Sequence, residues 1–268
     1  MDDDSDSGVD CNDDDSTSSV GEPQQNGRWD HGRQYAVFYE DPGRDAKFIE
    51  PVDELQREQW ARRHEVFKEL IPLHRSALPP QGRCLDVGAG LGLWAVEFAD
   101  KQTDWRVVAI DVFPNFPRWV PPNMMPMLED VESLSYTATY DFIMVRDMQW
   151  SVNLRDVMPR LVRSLLPRGS LEVVCLGPVE PSNGAEGGGM IENMPQQIGM
   201  PSWADIETGL PTWMKEAGLV DVRAEVLLVL VSSGSGMDTT HLRRDGWSED
   251  ERYCKLVLVH GTKRTDQS

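Results

Sequence analysis

Residues 85–94 read Leu-Asp-Val-Gly-Ala-Gly-Leu-Gly-Leu-Trp, and no other stretch of the chain narrows its fold as much. An apolar run ending in alternate glycines, followed by helically spaced apolar residues from Leu91 to Ala99, predicts a strand, a sharp turn and a helix start. Glycine lets the backbone approach a ligand that a Cβ would exclude, and the helix N-terminus adds free N–H groups and a positive dipole end. The spacing is G-x-G-x-G, not the G-x-G-x-x-G of dinucleotide turns, and Asp86 stands two positions before the first glycine. A carboxylate there repels a pyrophosphate but suits a ligand that carries an ammonium group. The next strand, Arg106 to Ile110, ends in Asp111, where an acid can accept both hydroxyls of a ribose. A nucleoside joined to a zwitterionic amino acid fits this layout better than a dinucleotide.

Strand and helix signals alternate along the following residues, the signature of a parallel sheet covered on both faces. Strands are expected at Arg83–Val87, Arg106–Ile110, Met124–Leu128, Tyr140–Val145 and Leu171–Leu176, with a helix from Leu154 to Leu166 stopped by Pro167 and Gly169. A helix around Leu210–Ala217 leads to two apolar strands, Glu225–Val231 and Tyr253–His260. The link between those two, residues 232–252, is polar and holds no amphipathic helix, so they should pair antiparallel. The fold class is therefore α/β: a Rossmann-like sheet of five parallel strands finishing in an antiparallel hairpin, seven strands in all. Pro178–Gly189 reads as a mobile loop near the open end of the sheet. Upstream, Pro51 and Asp53 open a helix whose apolar positions Leu55, Trp60, Val66, Phe67 and Leu70 match one face loosely.

Charge restricts the partners. The 268 residues hold 45 acids and 26 bases, a net −19, which disfavours nucleic acid and anionic membranes. Nine of the acids and no Lys or Arg fall in residues 1–22, within an apolar-poor segment predicted to be a disordered acidic tail over 1–27. The rest divides into an N-terminal helical lid segment, 28–80, and a Rossmann-like domain, 81–264. No signal peptide and no apolar run of membrane-spanning length is read, so a cytoplasmic location is expected, with the nucleus as the alternative. Cys11, Cys84, Cys175 and Cys254 lack metal-type spacing, and reduced thiols are expected. No metal-ligand constellation is read.

The residues now resemble a known family, the class I S-adenosylmethionine-dependent methyltransferases, and within it the fungal LaeA-like (UMTA-type) enzymes of secondary metabolism. The likeness runs through C-L-D-V-G-A-G-L-G-L-W (Cys84 to Trp94), V-A-I-D-V-F-P (Val108 to Pro114), L-E-D-V-E (Leu128 to Glu132), Y-D-F-I-M-V-R (Tyr140 to Arg146) and L-L-P-R-G-S-L-E-V (Leu165 to Val173). It extends upstream to Gly32-Arg33-Gln34-Tyr35 and Pro51-x-Asp53-Glu54 followed by His64. The resemblance implies S-adenosylmethionine as cofactor. Gly88, Ala89 and Gly90 would line its methionine part, Asp86 would order the ammonium, and Arg146 would lie beside the same moiety. Asp111 would hold the ribose and Val112 pack by the adenine. Asp130 would accept from the exocyclic amine and the Val131 amide face a ring nitrogen. Tyr35 and Arg33 would fold over the cofactor from the lid.

Methyl transfer is a displacement at an activated carbon, so the protein mainly orients the acceptor and excludes water. An oxygen acceptor also needs a base, for which His64, Asp147 and His31 are the candidates. The implied activity is O- or N-methylation of a small fungal metabolite. The alternative is a LaeA-like regulator or scaffold that acts through a protein partner. A NAD-dependent reductase is disfavoured by Asp86 and the terminal hairpin. Two departures stand out. Arg168 replaces the first glycine of the family's Pro-Gly-Gly turn, a change tolerated where its φ is negative, and the 232–252 region reduces the roof over the acceptor site.

Overall fold

The computed structural model describes residues 27–35, 50–181, 200–231 and 252–265. The acidic tail up to residue 26, the larger part of the Pro178–Gly189 loop and nearly all of the 232–252 link lie outside these residues.

Strands β3 (Gly82–Val87), β4 (Trp105–Asp111), β5 (Met124–Leu128), β6 (Tyr140–Arg146) and β7 (Leu165–Leu176) pair in parallel in the order β5-β4-β3-β6-β7. β10 (Arg252–Lys263) joins β7 antiparallel, and β9 (Leu219–Val231) joins β10 antiparallel beyond it. The two-residue β8 (Glu180–Pro181) also pairs with β10. The five-plus-two sheet expected from the strand signals is the sheet observed.

Side chains alternate faces along each strand, so two cores form. On one face Leu85, Val108, Ile143, Val173 and Val257 pack against helices α3 (Leu154–Ser164) and α4 (Trp203–Glu216). On the other, Cys84, Ala109, Phe142, Val174 and Leu256 pack against α1 (Glu54–Leu70) and α2 (Leu93–Lys101). Cys84, Cys175 and Cys254 are buried in these layers, and Cys11 lies outside the described residues.

Several boundaries move. α3 ends at Ser164, and the strand expected from Leu171 begins at Leu165, because residues 165–176 form one ladder running from Tyr140↔Leu165 to Arg146↔Val174, with a register shift near its start. Arg168 sits within that irregularity at φ +69°, so the negative φ under which the replacement would be tolerated is not met. α4 starts at Trp203, eight residues before its middle-turn Pro211, because Ser202 and Asp205 form a reciprocal capping box that apolar periodicity does not reveal.

The N-terminal segment is not purely helical. It opens with a hairpin, β1 (Arg28–Asp30) and β2 (Arg33–Tyr35), tied to α1 in two ways. The Val52 amide donates to the Gln34 carbonyl at 2.7 Å, and Asp53, the N-cap of α1, accepts from the Gln56 amide at 3.0 Å and from Arg33 Nε at 2.5 Å. That guanidinium holds the Asp53 carboxyl down at about 2.

Candidate active site

At the C-terminal ends of β3, β4 and β6 the chain leaves the sheet in diverging directions, and the crevice between them is where open α/β sheets bind ligands. A cleft of about 1150 Å³, counted to its open mouth, occupies that place. Its floor is the turn Gly88-Ala89-Gly90. Gly88 and Gly90 hold φ of +67° and +56°, backbone that favours glycine. A Cβ on Gly88 would lie 1.9 Å from Met148 Sδ, whereas one on Gly90 would meet open space.

Asp86 stands beneath this turn. It lies on the same strand face as Cys84, toward α1 and α2, and is 2% exposed. Its Oδ2 is fully buried with no hydrogen-bond partner. Burial raises its pKa to about 7, although the Arg146 charge pulls the other way. A sealed, unpartnered carboxylate oxygen is costly, and native proteins keep such groups where a ligand or ion completes them.

Asp111 closes β4. Its Oδ2 accepts from the Gly90 amide at 2.8 Å and its Oδ1 from the Phe113 amide at 3.0 Å, so it braces the glycine turn. Burial raises its pKa, and these backbone donors oppose the rise. Each oxygen keeps lone-pair capacity for a further donor. Val112, Asp130 and Val131 line the same end of the cleft, with Asp130 capping a single 3-10 turn, Val131–Ser133, through the Glu132 amide at 2.9 Å.

Arg146 ends β6 on the same face as Asp86. Its guanidinium donates to His64 Nδ1 at 3.0 Å and lies 5.1 Å from the Phe67 ring centroid. Burial lowers its pKa. His64 is 6% exposed, and desolvation, then the Arg146 charge, lowers its pKa to about 4. Asp147 takes φ +59°, and both its carboxylate oxygens are engaged: Oδ2 accepts from Arg63, and Oδ1 from Gln149 Nε2 at 2.8 Å and from the Leu176 amide at 3.3 Å. Both catalytic candidates thus line the cleft, but their lone pairs are directed at protein donors.

The structure brings Asp86, Gly88, Ala89, Gly90, Asp111, Val112, Asp130, Val131, Arg146, His64 and Asp147 to one cleft. It does not bring Tyr35, which packs under the Arg28 guanidinium in the hairpin, nor Arg33, which is spent on Asp53. His31 is an exposed hairpin-turn residue beside Asp30, remote in role from any cleft base. The hairpin buttresses α1; it does not cover the turn. Among the described residues, α1 itself covers it, through Trp60, Arg63, His64 and Phe67, together with Glu50, which accepts from Trp60 Nε1 at 3.0 Å. Those four positions follow i, i+3, i+4, i+7, a helix-face signal hidden because only two of them are apolar.

Comparison with known proteins agrees with this geometry. Residues 59–178 match the model of a methyltransferase domain. The chain is 31% identical over 169 residues to methyltransferase pytC of Aspergillus terreus, 60% of this chain and 50% of that protein. It is 28% identical over 152 residues to the secondary metabolism regulator laeA of Gibberella zeae, 53% of this chain and 45% of that one. The chain therefore spans about half the length of the curated relatives it matches. Among solved structures, a chain from the complex of the Haloferax volcanii Trm112 methyltransferase activator with a methyltransferase superposes at TM-score 0.56, with 13% identity, over 80% of this chain and 96% of that one. YcgJ of Bacillus subtilis superposes at 0.50, with 14% identity, over 75% and 99%. These two share the fold.

Proposed function

We propose, from the match of residues 59–178 to the methyltransferase-domain model and from the shared fold, that the cleft binds S-adenosylmethionine and presents its methyl group to a small molecule of fungal secondary metabolism. The observation that carries the cofactor assignment is the buried, unpartnered Asp86 oxygen under a glycine turn. The cofactor, when bound, supplies a methyl group activated by a sulfonium charge. Its ammonium supplies the donor that Asp86 lacks. Glu50, Asp86, Asp111, Glu129, Asp130 and Asp147 line the cleft against two arginines, Arg63 and Arg146, so the lining favours a cation.

In this reading Gly88–Gly90 border the methionine part, with Arg146 beside it. Asp111 accepts from the ribose while still bracing Gly90, and Val112, Asp130 and Val131 take the adenine. The protein's part in the reaction is to orient the acceptor O or N atom and to exclude water. His64 and Asp147, the candidates for a base, line the cleft with each already accepting from an arginine.

A second reading rests on the relatives described as regulators of secondary metabolism: a protein that keeps the cofactor cleft and works through a protein partner. Calorimetry with S-adenosylhomocysteine, the demethylated product, tests the cofactor. We expect micromolar binding, weakened by roughly 1–3 kcal/mol in Asp111→Ala, the scale of a hydrogen bond to a charged group. Wild-type protein that does not bind refutes the assignment. Assay with fungal metabolite extracts separates the two readings, because cofactor binding without methylated product favours the regulator. Among the described residues no helix is long and apolar enough to cross a membrane.

A further inference from the structure

We propose that His64 is a positioning residue of the cofactor cleft: its imidazole accepts from Arg146 and holds the guanidinium on the Asp86 side of β6, where its charge favours the anionic form of that carboxylate for the cofactor's ammonium. The inference rests on the cofactor reading above and assigns α1 a part in it.

The geometry is specific. Asp86 pairs in register with Met144, and Arg146 follows Met144 by two residues, so the two charged side chains leave adjacent strands on one face as diagonal neighbours. Arginine only donates, so the 3.0 Å contact requires an unprotonated His64 Nδ1 and places the ring proton on Nε2, which lies 3.4 Å from Glu97 Oε2. Protonation of Nδ1 would remove the lone pair that accepts from Arg146 and set a second positive charge against it. Phe67, one turn further along α1, places its ring 5.1 Å from the guanidinium carbon. α1 therefore grips Arg146 from two sides.

The groups that bear on the cluster come from six elements. Asp86 projects from β3 and Asp111 from β4, Arg146 ends β6 with Asp147 directly after it, and β7 contributes the buried Glu172, in register with Met144 and lining a second cavity with Arg146. On α1, Glu65 and Lys68 flank His64, and on α2, Glu97 is paired with Lys101 at 2.6 Å. Of these, Arg146 favours the Asp86 anion, whereas burial and Asp111 oppose it. Moving Arg146 away from Asp86 therefore makes the carboxyl hold its proton to higher pH. Cofactor affinity, which needs the anion, then falls off at higher pH than in the wild type.

The test is the pH profile of S-adenosylhomocysteine binding by calorimetry, between about pH 5.5 and 9, for wild type, His64→Leu, His64→Asn, Arg146→Met and the Arg146→Met/His64→Leu double variant. The ligand's own ammonium titrates alike in every sample, so the difference between proteins is what is read. In His64→Leu we expect roughly fivefold weaker binding at pH 7, approaching about tenfold toward pH 5.5, the effect of one pKa unit at Asp86, and a loss that shrinks toward pH 9. Recovery at high pH also reports that the variant is folded. His64→Asn, whose Oδ1 can accept where Nδ1 did, should restore the wild-type profile. In the Arg146→Met background, His64→Leu should change nothing further. A His64→Leu profile parallel to wild type at all pH values, an Asn variant that fails to rescue, or additive losses in the double variant would overturn the proposal while leaving the cofactor reading intact. Wild-type protein that does not bind removes the cofactor reading and this inference together.

Discussion

A carboxylate sealed at the end of a strand is a cost to the folded chain, and at Asp86 that cost has a measurable pH signature. Its pKa is raised from 3.8 to about 7, so the folded protein keeps a proton that the unfolded chain releases. This group's contribution to stability therefore declines as pH rises from about 4 to about 7 and is level above that. In Asp86→Asn the decline should vanish. Urea unfolding of cofactor-free protein at pH 5 and pH 8 should show wild type losing roughly 1–3 kcal/mol relative to the variant across that interval. A difference that is flat or of opposite sign would mean Asp86 is ionised and satisfied in the free protein. The residue was legible in the sequence because an acid two positions before the first glycine has few reasons to be there. Its burial was not, since the α1 side chains that close over it come from about 20 residues upstream. The same distance explains why His64 reads as a base in one dimension and as a holder of Arg146 in three.

At the scale of elements, the junction of α3 and β7 shows what periodicity misses. The pattern of residues 154–166 is helical, yet the sheet claims Leu165 and Leu166, because pairing beside Tyr140 satisfies backbone groups that a further helical turn would leave near its end. The price is a kink at Pro167-Arg168, with an exposed Arg168 at φ +69°. Left-handed backbone disfavours a residue with a Cβ by roughly 1–2 kcal/mol, partly offset by the lower unfolded-state entropy of a non-glycine residue. Arg168→Gly should therefore raise stability by roughly 0.5–1 kcal/mol, read as an increased urea midpoint at unchanged slope. A lowered midpoint would indicate that the arginine side chain contributes more than its backbone costs. The N-terminal hairpin teaches a related lesson. Tyr35 and Arg33 matched the family's segment in sequence, but β2 is committed to the α1 N-cap through Asp53, so the cleft is covered by the helix that the hairpin braces.

For the whole molecule, ligand binding and stability are linked. Anything that binds the folded cleft and not the unfolded chain stabilises the protein, by about 2.7 kcal/mol when present at a hundredfold excess over Kd. S-adenosylhomocysteine should raise the melting temperature in wild type with a dependence on log concentration, and should do so far less in Asp86→Asn. An equal shift in both proteins would place the ligand outside this cleft. The strands of the sheet and its antiparallel finish were readable in advance because their causes are local and repeated: apolar runs of strand length, breakers between them, and two final strands with no helix to cross over. The glycine turn was readable for the same reason, since left-handed backbone selects glycine within a few residues. The partners of polar side chains were not. Arg63 with Asp147, Arg146 with His64, and Asp111 with the Gly90 amide join segments between 21 and 84 residues apart, and their pairing follows from which helix covers which face of the sheet. Local chemistry along the chain thus set the scaffold and the position of the cleft, while packing of α1 against the strand ends chose which charges face one another inside it.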